Sequence, residues 1–138
     1  EQDLFLVQCK SDSKSTAPVK MSELTGYPLI IPSRPDAIRV QIETELINMG
    51  LQPKIALEID GVTSILDLVA DGAGCAILPH NAVLSATRPD AYNLRTISSP
   101  GLRSKLFIAT NSRRPATSTQ QAMLELLERT VRETLVGK

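Results

Sequence analysis

Leu68-Val69-Ala70-Asp71-Gly72-Ala73-Gly74-Cys75-Ala76-Ile77-Leu78-Pro79 is the stretch on which the fold turns. Residues 74–78 (GCAIL) are a wholly apolar run of strand length, stopped by Pro79. Residues 72–74 read as the turn that delivers this strand from a helix. That helix is carried by Val62, Ile65, Leu66 and Val69 at i, i+3, i+4 and i+7, and it ends near Gly72. Upstream, residues 54–59 (KIALEI) read as a strand with Ile55, Leu57 and Ile59 on one side. Before it, residues 35–49 place Ile38, Ile42, Leu46 and Met49 on one helical face, with Gly50 in the C′ position that closes a helix. Residues 28–31 (PLII) are a further apolar strand, ended by Pro32. The order is βαβαβ, the pattern of a parallel sheet with right-handed crossover helices in the α/β class.

The flanks are less regular. Residues 4–7 (LFLV) suit a buried strand, and residues 10–20 have loop composition, rich in Ser and interrupted by Pro18. Beyond Pro79 a short helix is expected at 80–85 and a strand at 92–97. Residues 105–110 (KLFIAT) read as a clear strand that mirrors LFLV. Over 117–136, Met123, Leu127, Val131 and Leu135 fall near one face, widened by Leu124 and Leu126. This predicts a docked C-terminal amphipathic helix.

Composition narrows the function classes. A chain of 138 residues is one domain, or two small lobes sharing a core. Aromatics make up 3% with no Trp, which argues against base stacking or an aromatic platform. Fifteen basic and fifteen acidic residues leave no net charge, whereas a surface that grips phosphate backbones carries a basic surplus. Cys9 and Cys75 both lie in apolar runs and are expected as reduced, buried thiols. With His80 as the single histidine they cannot make a four-ligand zinc site. No apolar run reaches the ~18 residues of a membrane span, and no signal peptide opens the sequence, so the cytoplasm is the expected compartment. The chain runs from Glu1-Gln2-Asp3 straight into a strand and reads as a piece of something longer.

In open parallel sheets, ligands bind beyond the carboxyl ends of the strands. Here those ends are 32–36, 60–63 and 79–81, and all three are expected to open on one side. Ser33-Arg34-Pro35-Asp36 has the form of a helix start, with Ser33 as N-cap, Pro35 in the first turn and Asp36 at N3. Free N–H groups and the helix dipole there suit a carboxylate or phosphate, and Arg34 could add a bidentate grip. The plain alternative is a simple cap beside a solvated arginine. Asp60 reads as an N-cap too, with Gly61 and Thr63 leaving room for a ligand; an ordinary turn is the alternative. Asp60 also opposes a close anion unless its charge is engaged elsewhere. His80 has no evident nucleophile beside it, and the sequence contains no G-x-S-x-G, G-x-G-x-x-G or G-x-x-x-x-G-K-[ST]. Neither catalysis, a metal nor a cofactor is expected.

The motifs together resemble a known family. Residues 21–32 (MSELTGYPLIIP) are similar to the "L-x-D-L-a-x-y-P-l-i" segment that leads into the second lobe of LysR-type effector-binding domains. Gly50-Leu51-Gln52-Pro53, with Glu58-Ile59-Asp60 after it, resembles their "G-l-x-P…x-E-x-d". Residues 68–79 are similar to their "l-V-a-a-G-l-G-i-a-l-l-P", the most specific of the three. DLFLV and LFIAT resemble the two antiparallel strands that cross between lobes.

The resemblance implies a fold like type II periplasmic binding proteins: a parallel βαβαβ second lobe, two crossover strands, and an effector between the lobes. Residues 1–11 would belong to the first lobe and its crossover strand, 12–100 to the second lobe, and 101–138 to the return strand and C-terminal helix of the first. By matching position, Ser33, Arg34, Pro35 and Ile38 would meet the effector, with Thr63, Pro79 and His80 nearby. The family's winged helix-turn-helix, linker helix and opening half of the first lobe have no counterpart in these residues. DNA would be contacted only through that separate N-terminal domain. The implied partners are a small anionic metabolite, a carboxylate being the candidate, and a second copy of the chain paired through the 36–49 helix; the full-length protein could form a tetramer. No membrane contact is implied. A periplasmic or lipid-anchored solute-binding protein would share the fold but needs an export signal. A small α/β enzyme would need a nucleophile and base in contact.

Overall fold

In the computed structural model, residues 1–136 are described. Strand β3 (Leu29–Ile31) organises the parallel part. All three of its residues are buried, with Leu29 and Ile31 in one core cluster and Ile30 in the other. A strand covered on both faces reads as an unbroken apolar run rather than an alternation. β4 (Ile55–Glu58) lies parallel to it, pairing Leu29 with Ile55, Ile30 with Leu57 and Ile31 with Glu58 across a register shift between Leu29 and Ile30. On the other side a parallel bridge joins Leu29 to Cys75, through Ile30 N–H to the Cys75 carbonyl at 2.7 Å and Cys75 N–H to the Pro28 carbonyl at 2.8 Å. The expected parallel βαβαβ is therefore present, with β3 at its centre.

Past Cys75 the chain changes partners. β5 (Ala76–Pro79) pairs antiparallel with β1 (Gln2–Cys9), in register from Leu4 opposite Pro79 to Val7 opposite Ala76. The far edge of β1 pairs antiparallel with β6 (Tyr92–Ser98), and β2 (Val19–Lys20) runs parallel to β6. This sheet has the order β2-β6-β1-β5, with the short β7 (Arg103–Ser104) also pairing β1. Residues 10–20 are thus loop only as far as Val19.

Two crossover helices flank β3. α1 (Ala37–Asn48) buries Ile42 and Leu46 against one cluster; α2 (Val62–Ala70) buries Ile65, Leu66 and Val69 against the other. Gly50 closes α1 at φ +71°, with its N–H on the Ile47 carbonyl and the Leu51 N–H on the Leu46 carbonyl, both at 2.8 Å. This is a Schellman closure, which needs the left-handed backbone that glycine adopts freely. A short α3 (His80–Leu84) follows β5 at the expected place.

Asp3–Ser104 forms one compact unit; Glu1–Gln2 and the residues from Lys105 onward form another. One expectation fails. Residues 105–110 are not a strand: no strand of the described residues lies alongside to take their N–H and C=O groups, and Phe107 is 80% exposed. The return strand is confined to β7. The C-terminal helix forms as α4 (Ser118–Val131), capped by Thr117, whose hydroxyl accepts from the Gln120 N–H at 3.2 Å, and continues as a π-turn over Arg132–Val136. Met123, Leu126 and Leu127 of this helix are exposed, and none of its residues is buried. Among the described strands β4 is the edge of its two-stranded sheet, with Ile55 and Leu57 each about two-fifths exposed.

Candidate functional site

Because β3 and β4 run in parallel, their carboxyl ends emerge together. Ile31 pairs with Glu58, so the residues two further on, Ser33 and Asp60, face each other. They are joined tightly: the Ser33 hydroxyl reaches both Asp60 carboxylate oxygens at 2.7 and 2.6 Å, and the Ser33 N–H donates to Asp60 Oδ1 at 2.9 Å. The Ser33 hydroxyl, and then its N–H, hold the Asp60 carboxyl below the usual aspartate range. Neither residue caps a helix with its side chain, against expectation. Residues 33–36 form a turn closed by Asp36 N–H on the Ser33 carbonyl, and Arg34–Pro35 is a cis peptide within it. The helix therefore begins later: Asp36 is the N-cap of α1, accepting from the Arg39 N–H at 3.0 Å. Pro35 precedes the cap and Ile38 sits in the first turn. At α2 the N-cap is Gly61, which offers no side chain, so the first turn carrying Thr63 has no side-chain cap.

Arg34 is not simply solvated. Its Nε and Nη2 donate to the two oxygens of Glu43 at 3.0 Å each, although its side chain is 67% exposed. Glu43 also accepts from Arg39 Nε at 3.0 Å. Arg39 is buried and spends Nη1 on the Pro32 carbonyl at 3.0 Å and on Glu58. One guanidinium therefore ties together the start of the 32–36 loop, the end of β4 and the partner of Arg34. Hydrogen bonds to Glu58 and then Glu43 raise the Arg39 pKa, while the fork from Arg34 leads in lowering that of Glu43. Arg39, Glu43 and Glu58 escaped the sequence reading. The i,i+4 spacing of Arg39 and Glu43 was the available signal.

The other candidates are dispersed. Ile38 lines a small apolar pocket with Ile31, Pro32, Ile42, Ile65 and Leu78 beneath the strand ends. Thr63 opens instead on a groove between α2 and α3, with Val62, Leu66, Ala82, Ser85 and Tyr92. Pro79 ends β5 and caps α3; exposed His80 meets the Phe5 ring at 6.0 Å. The structure thus joins Ser33 to Asp60, sends the neighbouring Arg34 to Glu43 on α1, and puts Ile38 among the apolar residues below. Thr63 lines a different groove.

This chain, residues 5–132, matches the family model for the LysR substrate binding domain. The chain belongs to that family. Among curated relatives it is 27% identical over 130 residues to the nitrogen assimilation regulatory protein nac of Escherichia coli (strain K12), and 25% identical to that of Klebsiella aerogenes. Each alignment covers 92% of this chain and 41% of the relative, so the chain spans about two-fifths of the length of these regulators. Two solved structures share its fold. The effector binding domain of QuiR in complex with shikimate superposes with a TM-score of 0.74 at 16% identity, over 97% of this chain and 63% of that one. The regulatory domain of CcmR from Synechocystis PCC6803 in complex with 2-PG gives 0.74 at 13%, over 94% and 62%. The LysR-type effector domain fold, like that of type II periplasmic binding proteins, is the fold of this chain.

Among the described residues no helix is long and apolar enough to cross a membrane, and no cluster of three or more potential metal ligands occurs.

Proposed function

We propose that this chain is the effector-sensing part of a LysR-type transcription regulator, binding a small anionic metabolite at the carboxyl ends of β3, β4 and β5. The observation that carries the reading is the junction of the first two strand ends, where Ser33 bonds Asp60 beside the uncapped start of α2 and the next residue, Arg34, forks onto Glu43. Ser33, Arg34, Pro35 and Ile38 are the proposed contacts at this junction, and Thr63, Pro79 and His80, at the starts of α2 and α3, are proposed as outlying ones. Arg34 supplies the charge, and a helix start without a side-chain cap leaves N–H groups suited to an anion. Shikimate, held by the QuiR domain, is a carboxylate, which supports that ligand class.

In this proposal residues 12–100 form the second lobe, and 1–11 and 101–138 contribute to the first. The ligand changes DNA binding through a winged helix-turn-helix elsewhere in the full-length protein, in the cytoplasm, by binding one lobe arrangement better than another. The domain binds and does not turn its ligand over. Val40 and Ile47, exposed one above the other on α1, support a homodimer through that helix, with a tetramer open to the full-length protein.

The test is a thermal-shift screen of small carboxylates, shikimate included, on the full-length protein. A ligand of this site raises the melting temperature by mass action. The shift is expected to vanish in Ser33→Ala and Arg34→Ala; shifts that survive both substitutions would exclude this wall.

A further inference from the structure

We infer that the groove between α2 and α3 is a second small-molecule site, one that takes a small organic cation. Its ammonium group would sit on Asp67 and its short apolar body on Leu66, Ala82, Ala86 and Tyr92. The inference goes beyond the proposed anion site, with which this groove shares only Thr63.

The groove has a volume of about 180 Å³. Drug-sized pockets span roughly 300–1,000 Å³, so the occupant is a molecule of only a few heavy atoms. The apolar surface is fixed in place. Leu66 and Tyr92 are buried, and Ala82 and Ala86 pack against the same core cluster. The Tyr92 hydroxyl donates to the Leu66 carbonyl at 2.9 Å, which ties β6 to α2 and leaves the phenol no proton to give a ligand. Alanine at 82 and again at 86 keeps the space open, because neither side chain extends past Cβ.

The charge on the groove has one sign. Of the residues that line it Asp67 alone is charged, and it stands in the second turn of α2, past the free N–H groups of the uncapped start. Among the described residues its exposed carboxylate has no hydrogen-bond or ion-pair partner. The hydroxyls of Thr63, Ser85 and Thr87 line the same groove and are equally unengaged. Arg88 follows Thr87, but its guanidinium is turned to Asp71 at 3.6 Å. Burial first, and then the charge of Asp67, hold the Tyr92 hydroxyl above the ordinary tyrosine range, so carboxylate and ring share one neighbourhood. A carboxylate or phosphate entering here would meet Asp67 with no lining cation to offset it. An ammonium would meet a free carboxylate and hydroxyl acceptors, the setting of a charge-assisted hydrogen bond. The groove therefore selects the charge opposite to that proposed for the strand ends.

Isopentylamine, isopentanol and isovalerate share a branched apolar body and differ in charge. Binding of each to the full-length protein is measured by ligand-observed NMR titration. The amine is expected to bind about fivefold more tightly than the alcohol, the worth of one ion pair at an exposed carboxylate. Asp67→Asn should bring the amine down to the alcohol and leave the alcohol unchanged. Ala82→Leu, which fills the groove, should abolish binding of both. Should Ala82→Leu fail to fold, Ser85→Leu obstructs the groove from an exposed position and should weaken both severalfold. No binding of the amine, equal binding of amine and alcohol, a preference that survives Asp67→Asn, or affinities unchanged in the filling variant that folds each overturns the assignment. Isovalerate belongs to the strand ends, so any binding of it should persist in the filling variant. An isovalerate signal lost with that substitution overturns the choice of charge, whereas the absence of isovalerate binding counts against the anion site alone.

Discussion

The Arg39 guanidinium, buried under the 32–36 loop, bonds the Glu58 carboxylate at the end of β4 and the Pro32 carbonyl at the end of β3 with one nitrogen. Its Nε meanwhile holds Glu43. The side chain acts as a rivet through the only two strands of the smaller sheet, at the end where the site lies. Arg39→Ala would leave the Pro32 carbonyl without this donor and Glu43 to Arg34 alone. A cost of about 2–4 kcal/mol is expected in denaturant unfolding, the range for losing several hydrogen bonds to charged groups that are only partly buried. Arg39→Lys should recover only part of it, because the one ammonium nitrogen cannot stand at both places from which Arg39 donates, Nε to Glu43 and Nη1 to Glu58 and Pro32.

Acid should loosen the same corner. Hydrogen bonds from Arg34 hold the Glu43 carboxyl below the ordinary glutamate range, and those from Ser33 do the same for Asp60. Each group is a stronger acid folded than unfolded. The stabilisation is therefore complete above the unfolded values and is lost as pH falls through the folded ones. Unfolding midpoints measured from about pH 6 down to about pH 3 should decline, and Glu43→Gln should flatten that decline. An equally steep acid limb in the variant would place the titrating groups elsewhere.

What the sequence reading caught and missed has a physical pattern. β3 and β5 were legible because a buried strand leaves an apolar run, and α1 and α2 because their buried faces recur at helical spacing. The helix stop at Gly50 was legible because one residue type serves that backbone geometry. Ser33 and Asp60 each carry the local signature of a helix cap, and nothing local says that they bond each other instead. That depends on which residues of β3 and β4 are paired, including the shift between Leu29 and Ile30. Arg39 was hidden because it stands beside the apolar stripe of α1 and is buried by its partners. The 105–110 run failed for a related reason: β propensity states a fit to a sheet and cannot supply the neighbouring strand.

Gly74 marks a close approach rather than a turn geometry. A Cβ built there would lie 2.7 Å from the Pro28 carbonyl oxygen and 3.0 Å from Ile30 Cγ1. The obstruction is backbone of the strand that Cys75 must bridge, so it cannot swing aside. Gly74→Ala should cost about 1–3 kcal/mol by overpacking, seen as a lowered unfolding midpoint. Gly50→Ala meets no atom within 4 Å but must hold φ +71°, and should cost about 1–2 kcal/mol through backbone strain alone. The two can be told apart by Asn, which tolerates the left-handed region. Gly50→Asn should recover much of the loss, whereas Gly74→Asn should be worse than Gly74→Ala.

The contrast between α1 and α4 gives the last expectation. Leu46 on α1 is fully buried among Leu24, Leu29, Ile42 and Leu102, whereas Leu127 on α4 is 45% exposed. Truncating a buried leucine removes its transfer free energy and leaves a cavity, together about 2–5 kcal/mol. A half-exposed leucine leaves no cavity, and only part of its surface was ever withdrawn from water. In the 138-residue chain, Leu46→Ala should therefore shift the unfolding midpoint strongly, and Leu127→Ala by less than about 1 kcal/mol. A Leu127→Ala cost near that of Leu46→Ala would mean that the apolar face of α4 is covered in solution.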